Sequence, residues 1–173
     1  MEQVIDWLLD SDSAIRWQVM RDLTGDTDAA LQERARIPQD GWGGRLLDLQ
    51  ADDGNWGGGA YTPKWISTTY TLALLRHFEP DPDDRRVRNA VDRVHDRVDM
   101  RGPFFDYASE MCITGMTLAL RSYFFEDVGH PPQIEHIMDR QRDDGGWNCH
   151  VSSDRSSFNT TLSVLEGLLE YEQ

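Results

Sequence analysis

The chain has 173 residues, about the length of one domain. Its 31 acidic and 17 basic residues give a formal net charge of −14, which argues against binding to nucleic-acid phosphates or to an anionic membrane surface. A hydrophobic content of 39% with six tryptophans excludes a disordered chain, and no apolar stretch reaches the roughly 18 residues that a membrane span needs.

The cysteines and the N-terminal sequence predict the compartment. The opening residues MEQVIDWLLDSD lack the basic and apolar regions of a signal peptide. Two cysteines, Cys112 and Cys149, are too few for a disulfide framework. We therefore expect a cytoplasmic protein, in which paired cysteines more often bind metal or take part in chemistry than form a bridge.

Residues 1–40 are predicted to form divergent N-terminal helices, and residues 41–173 contain repeats within the same single domain, 1–173. Three apolar segments of the repeat region align, each with a threonine near its start. They are STTYTLALLRHF from Ser67, ITGMTLALRSYF from Ile113 and NTTLSVLEGLLEY from Asn159. The aligned threonines Thr68, Thr114 and Thr160 lie 46 residues apart, and this period predicts a repeated structural unit.

A Gly/Asp-rich turn precedes two of these segments. The sequences LLDLQADDGNWGG and IMDRQRDDGGWNC both contain Gln-x-x-x-Gly-x-Trp, which ends at Trp56 in the first copy and at Trp147 in the second. The middle copy has Gly102-Pro103-Phe104 in place of Gly-x-Trp. Each unit is thus predicted to be a helix, a turn and a more apolar helix.

Helical periodicity supports this prediction. One charged helix has a single apolar face, and the first and last apolar segments each carry an apolar stripe. These sets are Val87, Val91, Val94 and Val98; Leu72, Leu75 and Phe78; and Phe158, Leu162, Leu165, Leu168 and Leu169. No strand pattern occurs, so the fold class is predicted to be all-α, an array of helical hairpins.

The two Gln-x-x-x-Gly-x-Trp turns, each leading into a Thr-rich apolar helix, resemble the repeats of squalene–hopene cyclases and protein prenyltransferase β subunits. Residues 40–173 are most similar to small bacterial squalene-cyclase-like proteins. The resemblance implies an α/α toroid, in which the apolar helices line a cavity and the motif Gln and Trp join neighbouring hairpins. It also implies an isoprenoid or similar apolar ligand.

The length differs from that of a complete toroid. Six hairpins of this period would need more residues than the chain has, so we expect a partial ring: an open arc, a ring completed by a partner, or a fragment of a longer ancestor. An open arc leaves an apolar face at its end, which repeat arrays must cover. Self-association into a homo-oligomer through that face is therefore a hypothesis.

The Asp-x-Asp-Asp motif that supplies the cyclase acid has a counterpart in Asp81-Pro82-Asp83-Asp84. A cyclase acid must stay protonated, which requires burial beside a like charge. These aspartates instead follow Glu79-Pro80 and precede a run of arginines, a pattern typical of a helix N-terminus. We interpret them as structural, and the catalytic residues stay unassigned.

A second constellation suggests zinc. Glu110-x-Cys112 is similar to the Asp-x-Cys zinc ligands of prenyltransferases, although their later His falls near Asn159 here. Cys112 with Cys149 and His150 resembles more closely the Cys and Cys-His ligands of lanthionine synthetase-type cyclases. Two thiolates and one imidazole would leave a fourth zinc position open. The alternative is that both cysteines fill core gaps and that His150 is a solvated loop residue.

Aromatic residues near the starts of the apolar helices are the ligand-binding candidates: Tyr61, Trp65 and Phe158, together with Glu110. Core packing is the alternative for each aromatic ring. Two functions from different classes follow. One is a squalene-cyclase/prenyltransferase-like domain whose groove holds an isoprenoid or other lipidic ligand, with zinc as a candidate cofactor. The other is a non-catalytic repeat scaffold that associates with itself or with a protein partner.

Overall fold

A computed structural model describes residues 2–126 and 129–173. These residues form nine α-helices and no β-strand, which confirms the predicted all-α fold class. The helices are α1 (Glu2–Leu9), α2 (Ser13–Val19), α3 (Thr27–Arg36), α4 (Gly41–Asp48), α5 (Thr68–Phe78), α6 (Arg85–Arg97), α7 (Met111–Phe124), α8 (Pro132–Met138) and α9 (Phe158–Glu172). None of them combines the length and apolar character that crossing a membrane requires.

Short polar side chains begin several of these helices. Asp12 accepts a hydrogen bond from the Ala14 N–H, and Asp26 caps α3 in the same way. Asp84 accepts hydrogen bonds from two N–H groups in the first turn of α6. Such caps satisfy helix donors that have no partner within the helix. The Asp84 cap confirms that the Asp-x-Asp-Asp sequence begins a helix.

The three apolar segments form α5, α7 and α9, and α7 packs against both of the others. Its contact with α9 is close because two glycines face each other. A Cβ atom at Gly115 would overlap the Ser163 carbonyl, and one at Gly167 would overlap the Gly115 carbonyl. Arg76 of α5 forms ion pairs with Glu166 and Glu170 of α9. These contacts bring the three helices together.

The buried apolar side chains form two clusters, and each cluster contains one motif tryptophan. Trp56 belongs to the larger cluster, which includes buried residues of α2 to α7. The smaller cluster joins α7, α8 and α9, and consists of Met111, Leu118, Ile137, Trp147 and Val164. The two predicted turns are therefore centres of packing in different parts of the molecule.

Candidate functional site

We call the two Gln-x-x-x-Gly-x-Trp turns, which end at Trp56 and Trp147, the Gly-Trp turns. They precede the loops that lead to α5 and α9. The Trp56 indole N–H donates to the Leu46 carbonyl at 2.7 Å, and the Trp147 indole N–H donates to the Ile137 carbonyl at 2.8 Å. Both rings are almost fully buried. Each turn thus holds its tryptophan against the preceding helix and sets the start of the next segment.

The motif glutamines also act in these turns. Gln50 donates to the carbonyl of Gly54 and to that of Ala90 in α6, so it joins the turn to the following hairpin. Among the described residues, Gln141 donates only to the Gly145 carbonyl of its own turn, at 2.8 Å. Gln50 thus makes a contact of the joining kind that the resemblance implies, and Gln141 does not.

The structure changes one part of the sequence alignment. The Trp56 N–H donates to the Thr68 hydroxyl, but the Trp147 N–H donates to Thr161 and not to the aligned Thr160. The threonine that takes this hydrogen bond therefore lies 14 residues after Trp147 but 12 residues after Trp56. Arg142 holds the segment after Trp147 in place by donating to the carbonyls of Ser153 and His150.

The segment between Trp147 and α9 carries Cys149, which lies against Cys112 at the start of α7. The two sulfur atoms are 2.8 Å apart, and the Cys112 N–H donates to the Cys149 sulfur at 3.2 Å. Both thiols are free and half-buried. Burial, followed by the neighbouring Cys149, raises the pKa of Cys112 from 9.0 to about 12. The structure therefore brings together two of the three predicted zinc ligands.

His150 is exposed, and its backbone N–H donates to the Asn148 side-chain oxygen at 2.9 Å. Residues 2–126 and 129–173 contain no group of three or more His, Cys, Asp or Glu side chains gathered for a metal ion. Two thiolates on a tetrahedral zinc would lie about 3.8 Å apart, given Zn–S bonds of about 2.3 Å. The 2.8 Å sulfur separation is much shorter. The predicted set Cys112, Cys149 and His150 does not fit zinc in this arrangement.

The predicted ligand-binding residues Tyr61 and Trp65 meet through Tyr70 of α5. The Tyr61 and Tyr70 hydroxyls lie 3.2 Å apart, and the Trp65 and Tyr70 ring centroids lie 5.2 Å apart. Burial and Tyr70 raise the pKa of Tyr61, and the charges of Cys112 and Glu110 add to the increase. Tyr61, Trp65 and Glu110 therefore lie in one region at the N-terminal ends of α5 and α7.

The fourth predicted ligand-binding residue, Phe158, begins α9 and is 99% exposed. It belongs to an exposed apolar stripe with Leu162, Leu165 and Leu169, whereas Thr160, Val164 and Gly167 are the buried residues of that helix. We call these four exposed residues the α9 stripe. Four of the five predicted residues therefore face solvent, and the fifth, Leu168, packs on the smaller cluster.

An apolar groove between α4 and α5 has a volume of about 470 Å³. Its lining consists of Trp42, Arg45, Leu46, Leu49, Leu74 and Phe78. We call this the α4–α5 groove. Helical periodicity does not predict this site, because it marks Leu72, Leu75 and Phe78 as the apolar face of α5. The four-residue spacing of Tyr70, Leu74 and Phe78 is the signal that could have identified it.

The aspartates of the Asp-x-Asp-Asp sequence have structural partners. Asp84 caps α6, Asp81 accepts a hydrogen bond from the Asp83 N–H, and Asp83 forms an ion pair with Arg88. These contacts agree with the interpretation of the sequence as a helix start.

Comparison with known proteins gives no further assignment. No family model, curated protein or solved structure matches the chain. The resemblance to squalene-cyclase and prenyltransferase repeats therefore stays a prediction.

Proposed function

We propose that this protein binds an apolar chain of isoprenoid type in the α4–α5 groove. The observation that carries the proposal is the chemistry of the lining: five of its six side chains are aliphatic or aromatic, and the sixth is Arg45. Leu49 is 70% exposed, so the groove is open to a ligand. Covering such a surface with a hydrocarbon chain is favourable by about 25 cal/mol for each Å² of apolar area that leaves water.

An aromatic strip along α5 extends the groove. Tyr70, Leu74 and Phe78 lie four residues apart, so they share one face over about 12 Å of helix. The Trp65 ring lies against Tyr70 at one end, and the Trp42 ring lies 6.0 Å from Phe78 at the other. The strip gives a flexible apolar chain an extended path from the groove towards Tyr61.

Binding is proposed without turnover. The aspartates that match the cyclase acid form a helix cap and an ion pair, and Asp81 and Asp83 are exposed. A cyclase acid must instead be buried, so that it stays protonated and can donate its proton. The residues along the strip supply contact surface for a hydrocarbon chain.

Titration of the protein with farnesol, followed by tryptophan fluorescence and by calorimetry, tests the proposal. We expect saturable binding that weakens at least tenfold in Leu49→Asp and in Leu74→Asp, because each places a carboxylate in the groove. Leu31→Asp on α3 is the matched control, since Leu31 is exposed and lies outside the groove. Absence of saturable binding, or equal affinity in all three variants, would contradict the proposal.

Self-association is the second candidate function, and the α9 stripe favours it. Its residues have the 4-3-4 spacing with which two helices pack together. Arg76 pairs with Glu166 and Glu170, and so reduces the repulsion that these carboxylates would exert on a second copy.

The molar mass in solution, measured by light scattering over a range of protein concentrations, tests this candidate. We expect a dimer that dissociates on dilution, and monomer only in Leu165→Asp. Leu31→Asp again serves as the control, because it adds the same charge elsewhere. A monomeric mass at every concentration would rule out association through the α9 stripe.

A further inference from the structure

Cys112 and Cys149 form a thiol pair that neither the proposed ligand groove nor a fitting zinc site uses. The pair joins distant parts of the chain: Cys112 is the second residue of α7, and Cys149 lies in the segment between Trp147 and α9. Their sulfurs lie 2.8 Å apart, and the Thr160 hydroxyl is 3.5 Å from the Cys149 sulfur. A disulfide requires a separation of about 2.05 Å, so a small movement of the side chains would bring the sulfurs within bonding distance.

The surrounding contacts hold the two cysteines in this position. The Cys112 N–H donates to the Cys149 sulfur, which ties the segment to the first turn of α7. Arg142 binds the carbonyls of His150 and Ser153, and Asp144 accepts hydrogen bonds from the N–H and hydroxyl groups of Ser156. These hydrogen bonds tie the residues that follow Cys149 to the turn that precedes it. Holding reacting groups together in this way raises their effective concentration.

We infer that Cys112 and Cys149 are a reversible oxidation site, at which a low-molecular-weight disulfide such as oxidised glutathione converts the two thiols into an intramolecular disulfide. The Cys149 thiolate attacks one sulfur of the oxidant and forms a mixed disulfide. The sulfur–sulfur bond of the oxidant breaks, and the first glutathione leaves as a thiolate. Cys112, as its thiolate, then attacks the Cys149 sulfur and displaces the second glutathione.

The two protons lost by the cysteines end on the two departing glutathione thiolates. The protein loses two electrons and the oxidant gains them, so one oxidised glutathione becomes two reduced molecules. This order of attack follows from the positions of the two sulfurs. The Cys149 sulfur accepts the Cys112 N–H in the first turn of α7, and a backbone donor at a helix N-terminus stabilises negative charge on an attacking sulfur. Cys112 lies 2.8 Å from the Cys149 sulfur and acts second, on the mixed disulfide beside it.

The disulfide would close a long loop, from the start of α7 to the segment before α9. A crosslink across a loop of this length restricts the unfolded chain, and we expect the midpoint of thermal unfolding to rise by about 5–10 °C on oxidation. Added reductant should return the midpoint to its original value. The site is independent of the α4–α5 groove, so its test requires no ligand.

The test is to equilibrate the full chain with oxidised glutathione, then count free thiols, measure the mass and record thermal unfolding. We expect the wild type to lose both thiols, retain no glutathione and stay uncrosslinked between chains. Cys112→Ser should accumulate one glutathione adduct, because the second step is blocked. Cys149→Ser should react far more slowly, since its remaining thiol is Cys112.

Circular dichroism of both serine variants checks that they fold. If either variant does not fold, the wild-type result alone decides the proposal. Two free thiols after equilibration, a stable mixed disulfide in the wild type, or disulfide-linked dimers would each overturn it. Equal adduct formation in the two serine variants would overturn the order of attack.

Discussion

The turns at Trp56 and Trp147 are built alike although they lie 91 residues apart. In each turn a glutamine side chain donates to the carbonyl of a glycine, Gly54 or Gly145, and these glycines have φ angles of 85° and 86°. The residue after each glutamine also forms the same pair of backbone hydrogen bonds across the turn. The motif thus specifies its own local geometry in two different packing environments.

The segments that follow the two turns differ. After Trp56 the chain leads to Thr68, where α5 begins, whereas the segment after Trp147 brings Cys149 against Cys112. The Gly-Trp turn is therefore structural, and the segment that follows it carries the residues whose chemistry differs between the two copies.

Removal of the motif tryptophans has the largest expected effect. Trp56→Ala and Trp147→Ala should each lower the free energy of unfolding by about 3–5 kcal/mol, because each removes a buried ring and its indole hydrogen bond. Urea denaturation measures the loss. In Trp147→Ala, hydrogen exchange should also speed up preferentially in α9, which shares the smaller cluster with Trp147.

Trp65→Ala is the control for this pair, because Trp65 is 80% exposed. Its free energy of unfolding should change by less than about 1 kcal/mol. A loss of similar size in all three variants would show that the two turns are not the centres of packing.

Alanine substitutions at the two turn glycines, Gly54 and Gly145, should differ in their cost to stability, because the glycines have different surroundings. Both have positive φ, so alanine at either position costs about 1–2 kcal/mol of backbone strain. A Cβ atom at Gly54 would also overlap the carbonyl of Arg93 in α6, whereas at Gly145 it would meet no atom of the described residues within 4 Å. Gly54→Ala should therefore cost about 1–3 kcal/mol more than Gly145→Ala. Equal losses in urea denaturation would refute the close approach of α6 to the first turn.

Replacing the two turn glutamines should give a smaller difference in stability. Gln50 is half-buried and donates two hydrogen bonds, so Gln50→Ala should cost about 1–3 kcal/mol. Gln141 is exposed and donates one, and its replacement should cost about 0.5 kcal/mol. Thermal unfolding of the two variants measures the difference, with the exposed Gln32→Ala as a neutral reference. The reverse order of stability would mean that Gln50 does not join neighbouring hairpins.

The sequence predicted the helices and the two turns because their determinants are local. The hydrogen bonds of Gln50 to Gly54 and of Gln141 to Gly145 each span four residues, and Asp84 caps the helix that follows it directly. Patterns of this kind are visible in a short stretch of sequence.

The candidate site was predicted only in part, because it depends on contacts between distant residues. Cys112 and Cys149 were predicted together, but the direction of His150 depends on how Arg142 folds the segment after Trp147. The α4–α5 groove depends on the packing of two helices, and single-helix periodicity marked only the buried face of α5. The 46-residue period also aligned Thr160 with Thr68, whereas Thr161 takes the equivalent hydrogen bond.

The two turns also differ in the hydrogen bonds of their aspartates, Asp144 and Asp53, and this difference should change stability least. Asp144 accepts hydrogen bonds from the hydroxyl and N–H of Ser156 and from the Gly146 N–H. The equivalent Asp53 accepts one from the Asn55 N–H. The Ser156 hydroxyl, then its N–H, lowers the pKa of Asp144 below its ordinary 3.8. The resulting stabilisation is present above pH 3.8 and is lost as the pH falls through the lowered value.

An NMR titration of the Asp144 carboxyl group should therefore show a midpoint below 3.8, and Ser156→Ala should move that midpoint upward. The thermal stability of Asp144→Asn should depend less on pH than that of the wild type below pH 3.8, whereas Asp53→Asn serves as the matched substitution in the other turn. If Ser156→Ala leaves the Asp144 midpoint unchanged, Ser156 does not hold the carboxylate. The segment that carries Cys149 would then depend more on the hydrogen bonds of Arg142, and the two turns would differ less than their hydrogen bonds indicate.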